Sequence, residues 1–159
     1  MAGDFDEAIE EYRQNRHHLA AWCESIRQFF VSHPEISAGA NPIVHSIRHR
    51  MKDDDHLRDK LRRKAAENEH VLTGQLLEKI TDLAGIRVLH LYQSQFAHIH
   101  RTIEGQVERG DWFLLEPPVA YTWDPECTEY FESLKLRTEV KPSHYTSIHY
   151  VLKPRSDSP

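Results

Sequence analysis

The chain has 159 residues, of which 28% are charged and 39% hydrophobic, with a formal net charge of −5. That length predicts one domain with a core large enough to fold alone, and no run of about 18 apolar residues is present to span a membrane. The acidic start Met1-Ala-Gly-Asp-Phe-Asp-Glu lacks the regions of a signal peptide, and Cys23 and Cys127 have no metal-ligand spacing, so a reducing, cytoplasmic setting is expected.

Residues 4 to 31 predict a long amphipathic helix. Phe5, Ala8, Ile9, Tyr12, Leu19, Trp22, Cys23, Ile26, Phe29 and Phe30 fall near a 3.6-residue period, interrupted at Asn15 and Arg16. His33-Pro34 ends it, because proline disfavours helix at the residue before it. A loop around Gly39 leads to Ile43–Met51, whose loose alternation suits a short extended segment.

A second helix is predicted from about Asp54 to Asn68. Acids lie at its start and bases toward its end, as the helix dipole favours, and Leu57, Leu61 and Ala65 make a thin apolar stripe. Thr73 is a candidate cap for a short helix holding Leu76, Leu77 and Ile80. The run Ile86-Arg-Val-Leu-His-Leu-Tyr92 reads as a mostly buried strand. Asp82 stands before it, Gly85 allows a close approach, and Arg87 interrupts the apolar run.

Gln93 to Glu108 predicts a helix burying Phe96, Ile99, Ile103 and Val107. Trp112 to Pro118 reads as irregular, with a short strand over Val119–Trp123. Asp124-Pro125 opens a further helix with Tyr130, Phe131 and Leu134. Leu136–Val140 and Tyr145–Leu152 read as strands, and Pro154 to Pro159 as a tail disordered by composition.

Two groups of residues can carry chemistry. The window Arg48 to Lys64 holds eight Lys/Arg against four Asp, so it is +4 in a chain whose remainder is −9. Within it Arg50, Lys52, Lys60 and Arg63 are spaced R-x-K-x7-K-x2-R. Lys60 and Arg63 share a helical face, and Arg50 and Lys52 share one if extended. Cations converging from two elements suit a polyphosphate. The competing reading is a solvated helix laced with Asp53, Asp54, Asp55 and Asp59. The second group is Lys141-Pro-Ser-His-Tyr-Thr-Ser-Ile-His149. On a strand it aligns Tyr145, Ser147 and His149 on one face, fit to stack a base and contact ribose or phosphate, or else simply a solvated edge. The histidine pairs His17-His18, His45/His49 and His98/His100 do not form a known zinc-ligand spacing.

Taken in order, R-x-K-x7-K-x2-R, then D-L-x-G-x-R, then K-x3-Y-x-S-x-H resemble the synthetase domain of the RelA/SpoT family over roughly Ile43 to Leu152. The resemblance implies an α/β fold, a nucleotidyltransferase-like mixed β-sheet flanked by helices, here with a long N-terminal helix. It divides the chain into an N-terminal helix and loop over 1–42, a synthetase domain over 43–152 and a tail over 153–159. It implies pyrophosphate transfer from ATP to the 3′-hydroxyl of GDP or GTP, making the alarmones ppGpp and pppGpp. By motif position Arg50 and Arg87 would sandwich adenine, and Lys52, Lys60 and Arg63 would hold the ATP phosphates. Asp82 would be the catalytic carboxylate binding Mg²⁺. Tyr145 would stack the acceptor guanine, with Lys141 and His149 on its ribose or phosphates.

Three departures stand out. His144 occupies the family's glycine position before the tyrosine. Asp111 to Val140 replaces a usually short link. The family's Glu-x-Gln strand does not follow before Pro159, so trace synthesis or none is expected of residues 1–159, with Glu139 the first candidate substitute. The rival readings are a toxin-type enzyme that pyrophosphorylates the 3′ end of tRNA, and a catalytically dead nucleotide-binding module. No membrane partner is expected, and a homo-oligomer is compatible with the reading.

Overall fold

A computed structural model describes residues 2–155, with side chains described from Phe5 onward. The fold is mixed α/β, with a long N-terminal helix and two small sheets. Length alone predicts one domain; the chain divides into two compact units, Met1–Leu89 and His90–Pro159, each with its own sheet and apolar cluster.

The first unit is built on helix α1 (Ala2–Ser32). Ala8, Ile9 and Tyr12 of α1 bury against Leu57 and Leu61 of α2 (Asp54–Ala66), Leu76 of α3 (Leu76–Lys79), and Val71, Ile80 and Leu83. Asp53 caps α2 by accepting from the Asp55 N–H at 2.9 Å. Of the other acids in this segment, Asp54 pairs with Arg13 of α1 at 2.8 Å and Asp59 with Arg62 at 3.0 Å. Thr73 does not cap α3: the cap position is Gln75, and the Thr73 hydroxyl donates instead to Glu7 at 2.7 Å.

Strands β1 (Ser46–Met51) and β2 (Ala84–Leu89) form an antiparallel pair, with Arg48 opposite Arg87 and Arg50 opposite Gly85. α1 packs on both strands. Met51 joins the α1 core, so this ribbon has one covered face and one open face. The expected mostly buried strand is therefore half-buried: Arg87 and Leu89 are exposed, and Leu91 and Tyr92 lie past the strand's end, 65% and 66% exposed. An apolar run does not reveal that its strand has a single neighbour and a single cover. The turn after it is fastened by the Gln95 side-chain oxygen, which accepts from the N–H groups of Leu91 and Tyr92, both at 2.9 Å.

In the second unit a 3₁₀ turn at Gln93–Gln95 leads into α4 (Phe96–Glu108), which packs on β3 (Trp112–Tyr121). The segment expected to be irregular before Pro118 is thus part of one long strand. Its register shifts between Leu114 and Val119, around Pro117 and Pro118, where the prolines cannot donate to a ladder. β4 (Arg137–Glu139) pairs in parallel with Val119–Tyr121 only, so the prolines lie beyond its reach. β5 (Ser147–Pro154) pairs antiparallel on the other side, giving the mixed order β4-β3-β5. Between β3 and β4, α5 (Pro125–Ser133) is capped by Asp124, and Phe131 meets Phe96 edge-on at 5.5 Å. Pro154, assigned to the tail by composition, ends β5; residues 156–159 of that tail lie outside the described residues. Among the described residues no helix is long and apolar enough to cross a membrane.

Candidate functional site

The first unit carries a cationic cluster. Lys52 follows β1 directly and its backbone is held at both ends. Its N–H donates to the Leu83 carbonyl at 2.8 Å, and its own carbonyl accepts from the Tyr12 hydroxyl at 2.6 Å. This fixes where its side chain, only 10% exposed, leaves the chain. Its ammonium donates to Asp82 Oδ2 at 2.8 Å, and Lys60, from α2, donates to Oδ1 at 2.5 Å. Both oxygens of the half-exposed Asp82 are therefore held by cations. Burial alone would raise the Asp82 carboxyl, but the two lysine hydrogen bonds and charges outweigh it and hold it below the usual range. Asp82 thus adds stability above the ordinary aspartate range and loses it as pH falls toward the lowered native value.

A groove of about 670 Å³ opens beside this pair, lined by Arg50, Lys52, Arg62 and Arg63, with His56 and the acids Asp53 and Asp59 among them. Lys60, Asp82 and Arg87 are outside its lining. Arg50 and Arg87 sit on the same open face of the β1–β2 ribbon, because Arg87 is two residues along β2 from Gly85, the partner of Arg50. Sequence reasoning missed His56 and Arg62. His56 had a legible signal: it lies four and seven residues before Lys60 and Arg63, on the same helical face.

Asp82 is the carboxylate that bridges Lys52 and Lys60, and among the described residues no group of three His, Cys, Asp or Glu side chains is placed to hold a metal. One hard oxygen ligand whose present partners are ammonium groups fits a Mg²⁺ that arrives with phosphate oxygens of its own, since this ion takes few protein ligands and keeps water or phosphate for the rest.

The second unit carries a separate cluster of its own. Tyr145 precedes β5 rather than lying in it, yet the expected row forms. The Tyr145 hydroxyl is 3.3 Å from His149 Nε2, and that nitrogen is 3.0 Å from Ser147 Oγ. Lys141 Nζ donates to the Tyr145 hydroxyl at 3.2 Å. Tyr121, reaching in from β3, completes the cluster: Lys141 Nζ lies 3.7 Å over its ring, and its edge meets His149 at 4.8 Å between centroids. No linear motif points to Tyr121; only its register opposite Ser147 places it here.

His149 is held below the usual histidine range, first by partial desolvation and then by the Lys141 charge. A native histidine that resists a proton the unfolded chain accepts makes stability fall as pH drops through about 6.5. The His149→Gln variant should accordingly show a flatter decline in melting temperature between about pH 7 and 5 than the wild type. Parallel declines would show that His149 does not contribute. His144 adopts the left-handed conformation, φ 49°, which is free of strain only for glycine; its ring lies 6.4 Å from that of Trp123.

The structure thus brings Lys52, Lys60 and Asp82 together, sets Arg50 and Arg63 on one groove, places Arg87 on the face it shares with Arg50, and gathers Lys141, Tyr145 and His149. No curated protein and no solved structure gives a significant match to the chain. The model of the region found in RelA / SpoT proteins does match, over residues 49–159, which takes in every one of these side chains and more than two-thirds of the sequence; the chain belongs to that family.

Proposed function

We propose that this protein is an ATP:GDP/GTP 3′-pyrophosphotransferase, an alarmone synthetase. Family membership over residues 49–159 supports a nucleotide pyrophosphotransferase in general. The observation that carries the finer reading is the Lys52–Asp82–Lys60 cluster, where one carboxylate bridges two ammonium groups and leaves a net positive charge. Such a cluster is suited to exchange both partners for a metal-bound polyphosphate, with Arg63 and Arg50 extending the cationic wall.

In this reading Arg50 and Arg87 flank the adenine, and Lys52, Lys60 and Arg63 hold the phosphates. Tyr145 stacks the acceptor base, while Lys141 and His149 orient its ribose and phosphates. Mg²⁺, bound at Asp82, would neutralise charge on the donor phosphates. The acceptor 3′-oxygen bonds to the β-phosphorus, the bond from that phosphorus to the α–β bridging oxygen breaks, AMP departs and the hydroxyl proton is released to solvent. Chemistry of this kind rests on positioning and charge neutralisation, which the cations supply.

The test is calorimetry with a non-hydrolysable ATP analogue and Mg²⁺. Arg87→Ala is expected to weaken binding by about 1–2 kcal/mol, the scale of a desolvated cation–π contact. Equal affinity of variant and wild type would remove Arg87 from the base site. Thin-layer separation of labelled nucleotides reads the transfer itself.

A further inference from the structure

The open face of the β1–β2 ribbon carries one arginine more than the proposed function uses. Arg48 lies directly opposite Arg87, and Arg50 opposite Gly85. Directly paired residues of an antiparallel ribbon share a face, as do residues two apart, so these four form a rectangle. Met51 packs into the α1 core from the other side, and Arg48, Arg50 and Arg87 are all exposed. Arg50 and Arg87 occupy one diagonal, a separation of roughly 7–8 Å and somewhat less between Cβ atoms, and their long side chains can rise from it to flank a flat ring. Gly85 and Arg48 occupy the other. At the Gly85 corner a methyl group would meet no heavy atom within 4 Å, so that corner is open. At the remaining corner stands a guanidinium.

Nothing in the fold calls for it. Like charges directly opposite on a ribbon destabilise it, and among the described residues Arg48 and Arg87 make no ion pair that would offset the repulsion. Stability therefore does not account for an arginine at this position. A ring held along one diagonal turns its rim toward the other, so Arg48 meets the edge of the base. A guanidinium only donates, so it selects an edge bearing an acceptor.

We propose that Arg48 is a specificity-determining residue, which donates a hydrogen bond to a ring nitrogen on the edge of the purine held between Arg50 and Arg87. This rests on the donor-base reading of that face.

The experiment measures, by calorimetry with Mg²⁺, a non-hydrolysable ATP analogue and its 1-deaza, 3-deaza and 7-deaza forms, each lacking one ring nitrogen. Wild type, Arg48→Ala and Arg87→Ala are compared, with melting temperatures of the unliganded proteins. Arg48→Ala should lose roughly 10–100-fold in affinity for the parent analogue, the scale of a hydrogen bond to a charged donor. One deaza form should suffer a similar loss in wild type and no further loss in Arg48→Ala. The unliganded Arg48→Ala protein should melt no lower than wild type, because a repulsion is removed; a purely structural arginine would lower it. Losses that simply add for all three deaza forms, or unchanged affinity in Arg48→Ala while Arg87→Ala loses binding, would overturn this inference and leave the donor site standing. Failure of wild type to bind the parent analogue would overturn both.

Discussion

Asp82→Asn is expected to abolish whatever pyrophosphate transfer the protein shows, since one electrostatic contributor to a transition state is typically worth on the order of 10²–10³-fold. The same change should do the opposite to metal-free nucleotide. Lys52 and Lys60 now spend their charge on the two Asp82 oxygens, at 2.8 and 2.5 Å. An amide in that place accepts from one of them at most weakly, so both ammonium groups become available to the triphosphate. Affinity for an ATP analogue in the presence of a chelator should therefore rise in Asp82→Asn, while the gain that Mg²⁺ gives the wild type should vanish. A melting curve serves as control, since Lys52 is largely enclosed and loses its counter-charge. An unchanged dependence on Mg²⁺ in the variant would remove Asp82 from the metal site.

Leu57→Ala carries the largest expected effect on stability. Leu57 is fully buried between α1, α2 and α3, in the cluster of Ala8, Ile9, Tyr12, Leu76 and Ile80. Truncation there should cost about 2–5 kcal/mol, because the lost transfer energy is joined by a cavity the two helices cannot close. Leu91→Ala is the internal comparison. The run it belongs to reads as core, but its side chain is 65% exposed, and its loss should fall within about 0.5 kcal/mol. Denaturant midpoints with equal slopes decide it. A Leu91→Ala effect as large as that of Leu57→Ala would show that the end of β2 is covered in solution.

That contrast shows what the sequence carries. Helices were legible from their apolar period, with caps adding to it only at α2 and α5: α1, α2, α4 and α5 run within a few residues of their expected bounds. β3 was not, because Pro117 and Pro118 read locally as a break, and the shortness of β4 together with the register shift against β5 makes them tolerable within a strand. The site divides the same way. Arg50, Lys52, Lys60 and Arg63 could be grouped from spacing along β1 and α2. Arg48 and Tyr121 could not, since their neighbours are set by the registers Arg48–Arg87 and Tyr121–Ser147, which no local spacing encodes.

The order β4-β3-β5 also has a kinetic consequence. β3 meets its parallel neighbour through the short α5 connection, whereas its antiparallel partner begins only at Ser147 and pairs Trp112 with Pro154. Long-range pairings of this kind are slow, since the intervening chain must close first. During synthesis β3 and β4 can associate while one edge of β3 still waits for β5. Tyr121 stands on the first of these strands and His149 on the last, so the cluster with Lys141 assembles only once β5 has docked. A chain stalled before β5 docks would present the apolar edge of β3 to other chains, which makes this strand the point where folding competes with aggregation.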